Sequence, residues 1–77
     1  MNPIEVIKPG TEVVVNDIPA RVAEVKIGTA MQVEYLLSWW DGRQFYTAWF
    51  DEDEFKPLPF QGETRIGIGF RQSTSIA

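Results

Sequence analysis

The 77-residue chain contains no cysteine and no histidine. Disulfides therefore cannot support the fold, and the Cys/His ligand sets of structural zinc sites are excluded. The side chains most often used as catalytic nucleophile and base are missing too, and there is no Gly-rich phosphate loop. A chain this short buries only about 60–65% of its unfolded surface, so it depends on large apolar side chains. The sequence predicts one small non-enzymatic domain without metal or cofactor.

Clusters of basic residues are also missing. Seven Lys and Arg side chains stand against eleven Asp and Glu side chains, for a formal net charge of −4. Proteins that bind nucleic acid usually present a basic face, because neutralisation of phosphates supplies much of the affinity. The charge therefore argues against a nucleic-acid partner.

No segment has the pattern of an export signal or a membrane span. The first ten residues, MNPIEVIKPG, lack a basic region followed by a long apolar stretch. Apolar runs elsewhere are much shorter than the roughly 20 residues that cross a bilayer. We expect a soluble, cytoplasmic protein with no membrane partner.

Period-two alternation runs through most of the chain and indicates β-strands. In MQVEYLLSWW (31–40) every second residue from Met31 to Trp39 is apolar. Further strand-like runs cover residues 11–15, 20–27 and 44–50, and Gly, Pro, Asn and Asp residues separate them. Apolar residues at helical spacing do not extend beyond one turn. The predicted fold class is all-β.

The register of the hairpin around Asp41-Gly42 decides which aromatic side chains are buried. A two-residue turn would place Trp40 opposite Arg43, whereas a three-residue loop would place Trp39 opposite Arg43. A shift of one residue exchanges the two faces of a strand. We prefer the three-residue loop, because it would bury Phe45 and Trp49 in the core.

This register also predicts the remaining core and an exposed patch. Tyr35 and Trp39 would join Phe45 and Trp49 in the core. The opposite face would carry an apolar patch that we predict to contact a partner or ligand: Leu36, Trp40, Tyr46 and Phe50.

Three segments carry a family resemblance: KPGTEVVV, VEYLLSWWDG and AWFDEDEFKP. They resemble small Tudor/KOW-type SH3-like barrels, and are more similar still to short uncharacterised phage and bacterial proteins with a WWDG…W layout. The resemblance covers roughly residues 8–58. It implies a five-stranded SH3-like barrel over residues 1–58, a 3₁₀ turn before the last strand, and a phage origin, which would place the protein in the host cytoplasm.

The resemblance also raises an aromatic-cage interpretation. Tudor-like modules hold a methylated cation against several ring faces with an acid nearby. The nearest counterparts here are Trp40, Tyr46 and Phe50 with Asp51 or Asp53. The alternative is that these rings pack against the C-terminal segment or another subunit.

The acidic run Asp51–Glu54 does not match a metal site. Calcium loops place oxygen ligands at fixed alternating positions and usually include a central glycine, which this run lacks. Acids in the first turn of a 3₁₀ or α segment instead interact favourably with its dipole. We predict a turn here.

Residues 59–77 lie outside the resemblance and are predicted to form a C-terminal arm. We expect a strand over 63–70 and a flexible end over 72–77. Ile66, Ile68 and Phe70 alternate with glycines and form an apolar stripe. The arm would dock on the hairpin, as an additional strand of its own barrel or as an oligomerisation arm on a neighbouring copy.

The sequence therefore favours a protein-interaction module that forms a homo-oligomer. One alternative is a binder, or sponge, of a small or nucleotide-like ligand, with Trp40 and Tyr46 stacking on the ligand. Its phosphate would be contacted by one of three arginines: Arg43, Arg65 or Arg71. A nucleic-acid accessory module is the second alternative.

Overall fold

The computed structural model describes residues 4–68, and this part of the chain is all-β, which confirms the predicted fold class. Its elements in chain order are β1 (Ile4–Ile7), β2 (Glu12–Val15), β3 (Ile18–Ile27), β4 (Val33–Trp40), β5 (Phe45–Phe50), a 3₁₀ turn (Glu52–Glu54), β6 (Lys56–Pro57) and β7 (Arg65–Ile68). The 3₁₀ turn comes directly before β6, and it contains three of the four consecutive acids.

The strands form two antiparallel sheets. One has five strands in the order β5-β4-β3-β2-β6, and the other is the pair β1-β7. Within residues 4–68 neither sheet closes on itself, so closure into a barrel stays a prediction.

The core consists mainly of aliphatic side chains. Its buried members are Val6, Ile7, Val13, Val15, Ala20, Val22, Tyr35, Leu37 and Phe55. The ring of Phe55 contacts that of Tyr35 edge-on, with centroids 5.3 Å apart. Both β1 and the main sheet contribute to this cluster, and tryptophan is absent from its buried members.

A β-bulge in β3 changes the phase of the alternation. The pairing with β4 shifts between Val22 and Glu24, so Ala23 is the extra residue. Val22 is buried, and Val25 and Ile27 also pack against the core. Unbroken alternation over residues 20–27 would place Val22 on the opposite side from Val25 and Ile27, but the bulge returns the later residues to the inner side.

The predicted hairpin register is also wrong. Trp40 pairs with Phe45, so a four-residue loop connects β4 and β5. Tyr35 is fully buried as predicted, and Trp39 is partly buried against the core. Phe45 and Trp49, however, are 70% and 42% exposed, because this register places them on the opposite face of the hairpin.

The predicted patch is consequently divided between two faces. Tyr46 and Phe50 lie opposite Trp39 and Tyr35 on the inner face, which is the side of the core. Leu36 and Trp40 lie on the outer face.

The C-terminal strand pairs with β1 and not with the hairpin as predicted. β7 runs antiparallel to β1, with Ile68 opposite Ile4. Ile68 packs against the core, whereas Ile66 is 42% exposed. Phe70 and the predicted flexible end lie outside the described residues, and an oligomerising role of this arm stays a prediction.

Candidate interaction surface

The β4–β5 loop is held by the side chain of Asp41. Its Oδ1 atom accepts hydrogen bonds from the backbone N–H groups of Arg43 at 2.8 Å and Gln44 at 2.9 Å. Both bonds lower the pKa of the Asp41 carboxyl, and the bond from Gln44 has the larger effect. Gly42 adopts the left-handed conformation (φ +99°) that glycine tolerates best. This capped loop fixes the register that the sequence analysis missed.

The loop and the two strands create an exposed apolar surface, here called the outer aromatic face. Its members are Leu36, Trp40, Phe45 and Trp49. Leu36 is half-buried, but Trp40 is 55% exposed. The Trp40 and Phe45 rings meet edge-on with centroids 5.0 Å apart. Because contiguous exposed aromatics are rare on monomeric proteins, this face is the main candidate for a contact surface.

A cation lies over one ring of this face. Lys26 Nζ is 4.8 Å from the ring centroid of Trp49, and it also pairs with a Glu34 carboxylate oxygen at 3.0 Å. Both interactions are exposed and therefore weak, at about 0.5–1 kcal/mol each. With Lys26 over its ring, Trp49 is still 42% exposed.

Next to the Trp40–Phe45 pair lies an open groove of about 370 Å³. Its lining residues are Glu12, Pro19, Ala20, Arg21, Ser38, Trp39, Trp40 and Phe45. Arg21 and Glu12 form an ion pair at 3.3 Å, and both side chains are more than half exposed. The groove thus offers ring surface together with one cation and one anion.

The inner side of the hairpin carries a separate aromatic cluster. The Trp39 ring stacks on Tyr46 at 5.9 Å and contacts Phe50 at 6.3 Å. The Trp39 and Tyr46 rings thus face each other, whereas Phe50 is tilted by 58° against Trp39. The aromatic-cage interpretation does not fit this arrangement, because Trp40 lies on the opposite face from Tyr46 and Phe50.

A buried tyrosine connects the hairpin to both termini of the described chain. Tyr35 Oη accepts a hydrogen bond from Ile7 N–H at 3.1 Å and donates one to Glu52 Oε1 at 3.3 Å. The other Glu52 oxygen pairs with Arg65 of β7. Burial, more than any other cause, raises the pKa of the Tyr35 hydroxyl. This network stabilises the fold.

Of the three arginines predicted to contact anions, the structure describes Arg43 and Arg65. Arg65 is engaged by Glu52, and this hydrogen bond raises the pKa of its guanidinium. Arg43 is exposed in the β4–β5 loop. Arg71 lies outside the described residues. Trp40 and Tyr46, the predicted stacking pair, lie on opposite faces.

The acidic run forms a capped turn. Asp51 N–H donates to a Glu54 carboxylate oxygen at 2.8 Å, and Glu54 N–H donates to the Asp51 carbonyl at 3.0 Å. Within residues 4–68, no three acidic side chains are grouped so that they could hold a metal ion.

In the same part of the chain, no helix has the length and apolar character needed to cross a membrane.

The loop shows which residue pairs of β4 and β5 are joined by backbone hydrogen bonds and which are not; we call this alternation the phase of the β4–β5 ladder. Asp41 N–H donates to the Gln44 carbonyl at 3.2 Å, which marks these two residues as a hydrogen-bonded pair. Hydrogen-bonded and non-hydrogen-bonded pairs alternate along antiparallel strands. Trp40 and Phe45 are therefore a non-hydrogen-bonded pair, which agrees with the close approach of their rings.

This phase identifies the backbone groups at the free edge of the sheet. β5 is the edge strand, with β4 as its neighbour in the described sheet. Tyr46 and Ala48 direct their backbone groups towards β4. The N–H and C=O groups of Phe45, Thr47 and Trp49 point outwards, where a further strand could pair with them.

β5 differs from the other edge strands of residues 4–68 in carrying no charge. β6 consists of Lys56 and Pro57, β1 contains Glu5, and β7 contains Arg65. Charged residues and proline protect sheet edges from pairing with other chains. The sequence FYTAWF of β5 has neither. This run without charges is the sequence signal that could have identified the edge.

Comparison with protein-family models, with curated proteins and with solved structures finds no match.

Proposed function

We propose that this chain is a non-enzymatic protein-interaction module that binds a second copy of itself through the β5 edge and the outer aromatic face. The observation that carries the proposal is the edge strand itself. Its six residues are uncharged, and three of them present backbone groups that no other strand of residues 4–68 uses. Such an edge is a template for strand addition.

Apolar surface next to this edge favours the same conclusion. Phe45 and Trp49 belong to β5, and their rings extend the contact beyond the backbone. Large aromatics supply most of the binding energy in protein interfaces. A symmetric pair would also leave neither β5 edge open, which limits assembly to a closed dimer.

The finer assignments are part of the same proposal. Two packed sheets and a 3₁₀ turn before β6 are consistent with a small SH3-like barrel. The phage origin and the action in the host cytoplasm that we propose rest on the sequence resemblance of residues 8–58 to short phage and bacterial proteins. Interaction is the role that we assign, because an uncharged edge strand and exposed aromatic rings favour it.

A second candidate function rests on the groove beside Trp40. Its aromatic walls and the Arg21–Glu12 pair suit a flat polar molecule of nucleotide size. The groove is open, and Arg21 is already paired with a carboxylate. These features make ligand storage the weaker proposal.

Native mass spectrometry of the purified chain separates the two candidates. We expect the mass of two chains at micromolar concentration, without an additional bound molecule. A monomer that retains a small molecule would support the ligand binder and contradict self-association. A monomer without added mass, at every concentration tested, would contradict both candidates.

A further inference from the structure

We infer that two copies join by antiparallel pairing of their β5 strands about a two-fold axis at Thr47. The inference rests on the proposed self-association and specifies its geometry. The two five-stranded sheets would then become one continuous sheet across the β5–β5 contact. The partner is thus a second copy of this chain.

The directions of the backbone groups restrict the register. Only Phe45, Thr47 and Trp49 have N–H and C=O groups directed outwards. These positions must face one another across the contact for hydrogen bonds to form. Thr47 opposite Thr47 of the partner subunit uses all three positions of each strand. The next register in which hydrogen bonds can form is shifted by two residues. It leaves one of these three positions without a partner on each copy.

The side chains favour the same register. With Thr47 at the axis, Phe45 lies opposite the partner's Trp49, and the reverse contact follows by symmetry. Directly opposed residues share a face of the sheet, so both pairs lie on the outer aromatic face. Aromatic cross-strand pairs are among those that stabilise antiparallel sheets. The rings exposed in one copy therefore contact each other in the dimer.

Charge complementarity distinguishes this register from one of its two neighbours. Each copy carries a net charge of −4, so approach is unfavourable unless opposite charges meet. If the pairing is extended beyond the ends of β5, the Thr47-centred register brings Asp51 opposite the partner's Arg43 at both ends of the contact. The register with Phe45 opposite the partner's Thr47 would bring Asp51 opposite the partner's Asp41. The charges thus favour the Thr47-centred pairing over the register with Phe45 opposite the partner's Thr47.

Cysteine pairing tests the register, and the absence of native cysteine makes every disulfide attributable to the introduced residue. Tyr46 and Ala48 occupy non-hydrogen-bonded positions, which would oppose each other in the dimer. Cα atoms in such pairs are about 4.5 Å apart, within the range that disulfides span. We therefore expect a mixture of Tyr46→Cys and Ala48→Cys chains to form a mixed disulfide. Each variant alone should remain largely uncrosslinked, as should the control Thr29→Cys.

Other outcomes would overturn the inference. Crosslinking of Tyr46→Cys alone would indicate the register with Phe45 opposite the partner's Thr47. Crosslinking of Ala48→Cys alone would indicate Thr47 opposite the partner's Trp49. Crosslinking no stronger than that of the Thr29→Cys control in every mixture would mean that the β5 edges do not pair with each other. If native mass spectrometry still gave a dimer in that last case, self-association would stand, but the β5 edge would not be its interface.

A measurement on the unsubstituted chain tests the register without relying on variants that could misfold. A dimer prepared from equal amounts of isotope-labelled and unlabelled chains should give intermolecular nuclear Overhauser effects between the Phe45 and Trp49 rings. A dimer that lacks them contradicts the Thr47-centred register.

Discussion

Replacing Tyr35 by alanine is expected to lower the free energy of unfolding by about 3–5 kcal/mol. The ring is fully buried against Phe55, and its removal leaves a cavity in the core. The substitution also leaves the buried Ile7 N–H without its acceptor. Because small domains are stable by little more than about 5 kcal/mol, most of the protein should be unfolded or close to unfolding. Urea titration followed by circular dichroism measures this loss.

Trp49→Ala is the matched control, since it removes an even larger aromatic side chain from the same hairpin. Trp49 is 42% exposed and lies on the outer face, so we expect a loss of about 1 kcal/mol in the monomer. The titration is carried out at concentrations where the chain is monomeric. Equal losses for the two variants would contradict the hairpin register.

Thr47→Pro is expected to weaken dimerisation by about 100-fold or more. Proline has no N–H, and the N–H of Thr47 points to the free edge. Two hydrogen bonds at the two-fold axis would be lost, each contributing about 1–1.5 kcal/mol. A loss of about 3 kcal/mol corresponds to roughly two orders of magnitude in the dissociation constant. Sedimentation velocity over a concentration series measures the change.

Thr47→Val is the control for this variant, because it keeps the backbone N–H and the branched shape of the side chain. It should dimerise nearly as the unsubstituted chain does. Since β5 pairs with β4 through Tyr46 and Ala48, Thr47→Pro should leave the monomer folded. A folded Thr47→Pro variant with an unchanged dissociation constant would show that the β5 edge is not the interface.

Most of the strands could be predicted from the sequence, whereas the pairing that defines the candidate surface could not. Alternation along β4 identified Tyr35 as a core residue, because side chains of a strand alternate between two environments. Alternation along the partner strand β5 does not show which of its two faces is buried. Its phase depends on the length of the loop, and the Asp41 carboxylate stabilises four loop residues where two or three were expected.

The same limitation explains the C-terminal strand. The alternating isoleucines indicate that residues 63–70 need a pairing edge, but alternation does not specify which edge. β1 was not predicted as a strand, and it is the element with which β7 pairs. Pairing between distant segments is decided by packing of the whole fold, to which local patterns contribute little.

Amide hydrogen exchange of the unsubstituted chain tests the central claim, pairing of two β5 edges, most directly. At concentrations above the dimer dissociation constant, the amides of Phe45, Thr47 and Trp49 should be protected, and dilution should remove this protection. The amides of Tyr46 and Ala48 should remain protected at both concentrations, because they bond to β4. Fast exchange at Phe45, Thr47 and Trp49 at every concentration would contradict the claim.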